Sequence, residues 1–129
     1  MECIRPVAEA VQAQLIKSNY KLDNKVWLGP TPGFITDHCA VHLPLKGLEA
    51  VIGDDLMHCP VRCLQPQWRA GPDFNPTLAP ETRRSFMYKY AEIGTLFSIK
   101  HLILPYCGVV TTTTNTLNLF IIRCNGNVY

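Results

Sequence analysis

Charged side chains are scarce in this sequence. They form 17% of its 129 residues, and 12 Lys and Arg residues nearly balance 10 Asp and Glu residues. Arg83-Arg84 is the only adjacent basic pair, so the chain lacks the clustered basic and aromatic residues that nucleic-acid binding uses. We therefore expect no nucleic-acid partner. A hydrophobic fraction of 47% predicts instead a globular chain, folded as a single domain over residues 1–129.

Long apolar segments are also missing. The longest apolar stretch, 102–110, is interrupted by Pro105 and Gly108, which leaves it too short to cross a bilayer. The N-terminal residues MECIRPVAEAVQAQL contain no uninterrupted apolar core of the kind that a secretory signal needs. These absences predict an intracellular protein, cytoplasmic or nuclear, that does not bind membranes. In such a compartment the six cysteines are expected to be reduced and not paired in disulfides.

Catalytic sequence motifs are absent as well. The segment Gly29-Pro-Thr-Pro-Gly33 lacks the Gly-Lys-Ser/Thr ending of a phosphate-binding loop. No Gly-x-Ser-x-Gly hydrolase motif occurs, and the His-x-Glu and Pro-Cys-x-x-Cys motifs of zinc deaminases are missing. Asp54-Asp55 follows Gly53 and is typical of a solvated turn. The sequence therefore favours a protein that is not an enzyme.

Hydrophobic periodicity predicts an α+β fold. An N-terminal amphipathic helix is expected over residues 4–18, because apolar residues recur there at helical spacing. A second, shorter helix is expected over 80–91, after a Pro-rich loop. Alternation and β-branched residues predict a mostly antiparallel sheet with a C-terminal β-meander, and they place His101 in a strand as a core or edge residue. The predicted strands are 25–28, 38–43, 48–52, 96–104, 109–114 and 117–123, with irregular structure or a short strand at 57–64.

The stretch 37–63 carries three of the four histidines and three of the six cysteines. Cys59 and Cys63 have the spacing of a zinc-chelating pair. His38 and His42 resemble a second pair, but four residues along a strand separate two rings by roughly 13 Å, too far for one ion. We therefore predict a reduced, packed corner of the core that contains no metal. The alternative is a zinc site that combines Cys59 and Cys63 with His58 or Cys39 and with one of His38 and His42; the ligand set that we select is Cys59, Cys63, His42 and His58.

The segment PTPGFITDHCAVHL, residues 30–43, resembles the histidine strand of the NlpC/P60 and lecithin:retinol acyltransferase-like proteins. In that family a histidine on a strand just after a Pro-Gly turn pairs with a distant cysteine. The resemblance implies a Cys–His thiol enzyme, an acyltransferase or hydrolase, in which His38 or His42 acts as the base. The candidate nucleophiles are Cys59, Cys63, Cys107 and Cys124.

Trp68 and Arg69 lie in the Pro-rich loop, and both residue types are enriched at protein-binding hot spots. They predict a surface that binds a protein partner. Together with the small size and the lack of catalytic motifs, this surface favours a protein-interaction or accessory module, of the kind that viruses encode as host-interaction factors. A zinc-stabilised binding domain is the alternative. An unprotected edge strand of the C-terminal meander further predicts edge-to-edge pairing, either with a second copy in a homodimer or with a strand of a partner.

Overall fold

The computed structural model describes residues 4–17, 19–53, 57–59, 61–71, 73–99, 101, 107–114 and 116–121. Within them the chain has an α+β architecture, which confirms the predicted fold class. The helices are α1 (Arg5–Glu9), α2 (Val61–Leu64) and α3 (Leu78–Tyr90). The strands are β1 (Trp27–Pro30), β2 (Cys39–Leu45), β3 (Leu48–Ile52), β4 (Leu96–Ser98), β5 (Cys107–Thr113) and β6 (Thr116–Ile121).

The described strands form one sheet in the order β1-β2-β3-β4-β5-β6. Neighbouring strands are antiparallel with one exception, the parallel pair of β3 and β4, in which Ala50 lies beside Leu96. A parallel pair needs a long crossover connection, and the segment that contains α2 and α3 supplies it. The sheet therefore consists of an antiparallel unit, β1–β3, and a C-terminal meander, β4–β6, joined along one parallel seam.

A two-residue turn sets the register of β2 and β3. Leu45 lies opposite Leu48, so that only Lys46 and Gly47 connect the two strands. Both connecting residues have a positive φ, 49° and 85°, as in a type I′ turn, whose twist matches that of the strands. Because side chains alternate along a strand, this register decides which residues of both strands share a face.

One face of the sheet carries the hydrophobic core. Alternate residues of the strands point to this face, and side chains of α3 join the same buried cluster. The cluster contains Ala40, Val51, Met57, Cys63, Met87, Tyr90, Phe97, Ile99, Val110 and Leu117. Removing this apolar surface from water contributes about 25 cal/mol per Å² to stability.

The opposite face of the sheet, which we call the open face, is mostly apolar, with Ser98, Thr111 and Asn118 as polar members, and it is not buried. By register it presents Leu28, Val41, Leu43, Ala50, Ile52, Leu96, Val109 and Phe120. Ile52 and Phe120 are exposed, and the others are half-buried. None of these side chains carries a charge. An apolar sheet face of this kind is normally buried against a second layer of structure.

The N-terminal helix is much shorter than the sequence predicts. Helical spacing predicts a helix over 4–18, but α1 ends at Glu9, and Val11 has a left-handed φ of 55°. The helix buries none of its own residues, and Leu15, further along the predicted apolar stripe, is fully exposed. The prediction was wrong because a short helix is marginal in water unless its apolar face packs on another element.

Other segments depart from prediction more modestly. α2 is a short helix within the stretch for which the sequence predicts irregular structure or a strand. β4 is confined to Leu96–Ser98, and His101 lies in a turn, not in a strand. Some predictions fall outside the described residues, namely those for Asp54-Asp55, for strand residues 102–104 and 122–123, and for Cys124. Among the helices that the structure describes, none has the length and apolar character needed to traverse a bilayer.

Candidate functional site

Three histidines lie at one end of the sheet. His38 immediately precedes β2, His58 follows β3, and His101 follows β4. Because β2 and β3 are antiparallel while β3 and β4 are parallel, the start of β2 and the ends of β3 and β4 lie at the same edge. The topology therefore brings these residues together from three separate parts of the sequence.

Phe34 connects this group, which we call the histidine cluster (His38, His58 and His101). Phe34 is buried, and its ring meets those of His38 and His58 edge-on, with centroids 5.5 and 5.3 Å apart. The ring centroids of His58 and His101 are 4.6 Å apart. His101 is exposed, whereas His38 and His58 are half-buried. The cluster is therefore packed on an apolar side chain and accessible to solvent at His101.

Thr31 orients the first of these imidazoles. Its Oγ1 lies 2.6 Å from Nδ1 of His38 and 3.2 Å from the carbonyl oxygen of His38. The N–H of Thr31 donates to the same carbonyl oxygen at 3.0 Å. Thr31 is only 2% exposed, so water competes little for these bonds. The ring of His38 is thus held by the loop that precedes it.

The loop that carries Phe34 is anchored near the start of α3. The carbonyl oxygens of Gly33 and Phe34 accept hydrogen bonds from the N–H groups of Asn75 and Phe74, each at 2.8 Å. Gly33 has a φ of 102°, and a Cβ at this position would lie 2.4 Å from the backbone nitrogen of Ala79. Only glycine fits between the loop and the helix. This close approach fixes the position of the neighbouring phenylalanine.

A buried ion pair ties the Pro-rich loop to α3. The side chains of Arg83 and Asp73 are 1% and 0% exposed, and their charged groups are 3.1 Å apart. Arg83 also donates to the carbonyl oxygens of Pro66 at 2.8 Å and Trp68 at 3.1 Å, while Asp73 accepts from the N–H of Ala70 at 2.7 Å. Burial lowers the pKa of Arg83, and the Asp73 carboxylate opposes that shift. The pair therefore organises the loop through its backbone.

Trp68 and Arg69, the predicted partner-binding residues, lie in this loop. The backbone of Trp68 takes part in anchoring the loop, but the residue as a whole is 54% exposed. Arg69 is exposed as well. The part that these two residues play in binding a partner stays a prediction.

His42, a predicted metal ligand, lies in the core of the sheet. It is 3% exposed, and its ring stacks on Trp27 with the centroids 5.3 Å apart and the planes 10° from parallel. Its Nδ1 is hydrogen-bonded to the carboxylate of Glu49 and lies 3.4 Å from the hydroxyl oxygen of Tyr90. Its Nε2 faces Gly29, where an added Cβ would be 2.3 Å away. Both ring nitrogens therefore face other parts of the protein.

The two predicted cysteine ligands lie before and within α2. Cys63 is buried, and its thiol donates to Sδ of Met57 at 3.1 Å. Burial, and secondarily the neighbouring Cys59, raises the pKa of Cys63 to about 12. Burial and the charge of Asp37 also raise the pKa of Cys39. Nucleophilic attack requires a thiolate, which neither Cys63 nor Cys39 readily forms near neutral pH.

The described part of the chain contains no group of three or more His, Cys, Asp or Glu side chains placed to hold a metal ion. The four predicted ligands are all described, and they are not assembled around one point. Zinc binding by that set stays a prediction. Of its members, only His58 belongs to the histidine cluster. His38 was a candidate ligand or base from the sequence, whereas His101 was missed as a site residue, because no local sequence pattern indicates that β3 and β4 pair in parallel.

No protein-family model matches the chain, and no curated protein matches it. Solved structures do match. A hydrolase of the beta-lactamase superfamily, AbOPH, has a TM-score of 0.84 over 93% of this chain and 42% of its own, at 22% identity. AidC, a dizinc quorum-quenching lactonase, has a TM-score of 0.74 over 92% of this chain and 44% of its own, at 16% identity. A probable metal-dependent hydrolase from Staphylococcus aureus has a TM-score of 0.69 over 78% of this chain and 36% of its own, at 13% identity.

The chain therefore has the fold of these metallo-β-lactamase-type hydrolases, and it spans less than half of their length. This comparison contradicts the expectation of a protein-interaction or viral accessory module, because the structures that share the fold are hydrolases. The shared fold also differs from the NlpC/P60-like thiol enzyme that the sequence suggested, and the high pKa of Cys63 disfavours that one of its candidate nucleophiles.

Proposed function

We propose that this chain is part of a metal-dependent hydrolase and that the histidine cluster supplies ligands to its metal. The observation that carries the proposal is the assembly of three imidazoles at one end of the sheet, around Phe34, in a fold shared with hydrolases. One of those hydrolases, AidC, is a dizinc lactonase. Zinc is therefore the metal that we propose.

The histidine cluster fits zinc in its chemistry. Imidazole nitrogen is a preferred zinc ligand, and catalytic zinc sites use three protein ligands and keep a fourth position open. Among the described residues, neither these three imidazoles nor any other group of three or more His, Cys, Asp or Glu side chains is placed to hold a metal ion by itself. Asp54 and Asp55, which lie a few residues before His58 in the sequence, are our candidates to complete the ligand set, because carboxylates also bind zinc.

The open face supports the idea of a larger hydrolase. The solved hydrolases carry more than half of their length outside the part that matches this chain. We propose that a second part of comparable size covers the open face, whose uncharged apolar side chains favour burial. In this arrangement the second part would also contribute to substrate binding at the edge where the histidines lie.

The proposed reaction is the hydrolysis of an ester or a lactone, by analogy with AidC, which was solved with its product N-hexanoyl-L-homoserine. Zinc, when bound, supplies Lewis acidity and activates water near neutral pH. The residues of this chain do the positioning. The three imidazoles would hold the ion, Thr31 is hydrogen-bonded to the ring of His38, and Phe34 packs edge-on against the rings of His38 and His58.

Zinc titration of the purified chain by calorimetry tests the proposed site. We expect binding that is weakened at least about 10-fold by His38→Ala, His58→Ala or His101→Ala, since each removes a proposed ligand. Cys59→Ser and Cys63→Ser are the matched comparison, because these residues belong only to the other predicted ligand set. Zinc binding that survives the histidine substitutions but is lost in the cysteine variants contradicts the proposal.

A second measurement tests the reaction. The zinc-loaded chain is mixed with N-hexanoyl-L-homoserine lactone, and the release of acid is followed with time. Hydrolysis that depends on zinc and is lost in His101→Ala supports the proposal. A chain that binds zinc through the cluster without hydrolysing the lactone leaves the metal site in place and shows that this chain does not hydrolyse the lactone by itself.

A further inference from the structure

We infer that Met57, Cys59 and Cys63 form a binding site for copper(I), in which two thiolates and one thioether hold the ion. We call these three side chains the sulfur cluster (Met57, Cys59 and Cys63). The site uses none of the residues of the histidine cluster. It therefore does not depend on the proposed zinc chemistry.

Two sulfur atoms of the sulfur cluster meet in the core. The thiol of Cys63 donates to Sδ of Met57 at 3.1 Å, and the two residues are 1% and 0% exposed. A metal–thiolate bond is about 2.3 Å long for zinc, so two sulfurs that bind one ion of similar size lie at most about 4.6 Å apart. The observed separation is within that limit. The unbranched, flexible side chain of Met57 can make the small movement that admits an ion between them.

Cys59 supplies the third sulfur from the turn that leads into α2. The N–H of Arg62 donates to the carbonyl oxygen of Cys59 at 3.1 Å, so the backbone turns directly from Cys59 into the helix that contains Cys63. Residues four apart in a helical turn are neighbours, with Cβ atoms about 5–6 Å apart. Burial is the main cause of the raised pKa of Cys63, and the charge of Cys59 adds to it, in agreement with this proximity.

The sulfur cluster also has a route to solvent. Cys63 and Met57 are buried, but Cys59 is only half-buried. An ion that first binds the thiol of Cys59 can pass to the two buried sulfurs. The most exposed member of the set is therefore the one that would capture the metal.

The donor types select copper(I) over zinc. Thiolates and thioethers are soft ligands, and both favour copper(I). Zinc binds thiolate, imidazole and carboxylate, and a thioether is not one of its usual ligands. The lack of a group of three His, Cys, Asp or Glu side chains in the described part of the chain does not bear on this set, because its third donor is a methionine.

Binding exchanges protons for the metal without any change of oxidation state. The S–H bonds of Cys59 and Cys63 break, two copper–sulfur bonds form, and both protons pass to water. The thioether of Met57 donates a lone pair and loses nothing. The product is a copper(I) centre with one net negative charge.

Arg62, between the two cysteines in the sequence, offers the matching positive charge. Burial is the main cause of the lowered pKa of Arg83; Arg62 lowers it further and Cys59 opposes this, so both side chains lie near Arg83. Nη1 of Arg62 is buried and has no hydrogen-bond partner among the described residues. A buried donor without a partner is costly, and a nearby anionic copper–thiolate centre lessens that cost.

Copper(I) titration of the full chain tests the site. The titration is made without oxygen, with ascorbate as reductant and bathocuproine disulfonate as competing chelator. We expect one copper per chain and an affinity that Met57→Leu weakens at least about 10-fold, because the variant removes a ligand but conserves the size of the side chain. Met87→Leu is the matched control. It makes the same change at another fully buried methionine of the core, and it should bind copper(I) as the wild type does.

The two thiols are tested in the same titration. Cys59→Ala and Cys63→Ala should each weaken binding at least as much as Met57→Leu, whereas Cys107→Ala, which removes a half-buried thiol elsewhere, should not. X-ray absorption of the copper-loaded wild type should show sulfur as the only kind of neighbouring atom. If Cys63→Ala does not fold, Met57→Leu and Cys59→Ala still decide the question.

Three results overturn the inference: unchanged copper(I) affinity in Met57→Leu, equal losses in Met57→Leu and Met87→Leu, or nitrogen and oxygen neighbours at the copper. His101→Ala separates the two metal sites. It should bind copper(I) as the wild type does, and a loss there would place the copper at the histidine cluster and overturn the inference. A chain that binds copper(I) through the sulfur cluster but binds no zinc supports the inference while contradicting the proposed function.

Discussion

The ring of His42 lies parallel to that of Trp27 and fills the space beside Gly29. The two rings are 5.3 Å apart, and an added Cβ at Gly29 would lie 2.3 Å from Nε2 of the histidine. The hydrogen bond to Glu49 and the contact with Tyr90 fix the other side of the ring. This arrangement explains why His42 is a packing residue although it lies in the stretch of the sequence that is rich in potential metal ligands.

Gly29→Ala should therefore destabilise the protein. The stacked and hydrogen-bonded imidazole cannot retreat, so the added methyl group overpacks the site at a cost of about 1–3 kcal/mol. Urea denaturation followed by fluorescence measures the change in the free energy of unfolding. Gly71→Ala is the control, because a Cβ there meets nothing within 4 Å, and its effect should stay within about 0.5 kcal/mol. Equal effects of the two substitutions would refute this account of the packing.

Removal of one partner of the buried ion pair should be more costly. Asp73→Ala leaves the guanidinium of Arg83 buried without its counter-charge, and such a change typically costs about 3–5 kcal/mol. Chemical denaturation again gives the free energy of unfolding. Arg84→Ala serves as control, because Arg84 is exposed and its guanidinium lies over the ring of Tyr88, so a loss below about 1 kcal/mol is expected. A small effect of Asp73→Ala would show that the loop does not depend on this pair.

The buried thiol of Cys63 predicts a loss of stability at alkaline pH. Its pKa is raised from 9.0 to about 12, so between these values the unfolded chain releases a proton that the folded chain retains. The stabilisation is complete below pH 9 and declines as the pH rises toward 12. The free energy of unfolding at pH 8 and pH 10.5 should differ more in the wild type than in Cys63→Ala.

Cys107→Ala is the comparison for this pH dependence, because Cys107 is a free thiol that is only half-buried. It should retain the wild-type difference between the two pH values. If Cys63→Ala retains it too, the alkaline loss has another source.

Local signals in the sequence predict the hairpin and the long helix well. The strands predicted at 38–43 and 48–52 correspond to β2 and β3, because alternation and the turn at Lys46-Gly47 act over a few residues. The helix predicted over 80–91 corresponds to α3, which starts at Leu78. The N-terminal helix fails for the opposite reason, since its stripe requires a packing partner that periodicity cannot reveal.

The histidine cluster depends on non-local pairing and could not be predicted in the same way. His58 was singled out for its neighbouring cysteines, yet in the structure its ring lies against Phe34 and His101. His101 reaches it because β4 pairs in parallel with β3, across a crossover that contains two helices. A spacing rule that acts within about a dozen residues cannot predict this contact between His58 and His101.

The parallel seam between β3 and β4 also has a consequence for the order of folding. The units β1–β3 and β4–β6 can each form through short connections. Pairing of β3 with β4, in contrast, closes a long loop that contains α2 and α3. Closing a longer loop costs more chain entropy, and non-local strand pairing is correspondingly slow. His38 and His58 belong to the first side of the seam and His101 to the second. The three histidines therefore come together only when β3 has paired with β4, the slowest pairing in the sheet. Assembly of the histidine cluster thus indicates that folding is complete.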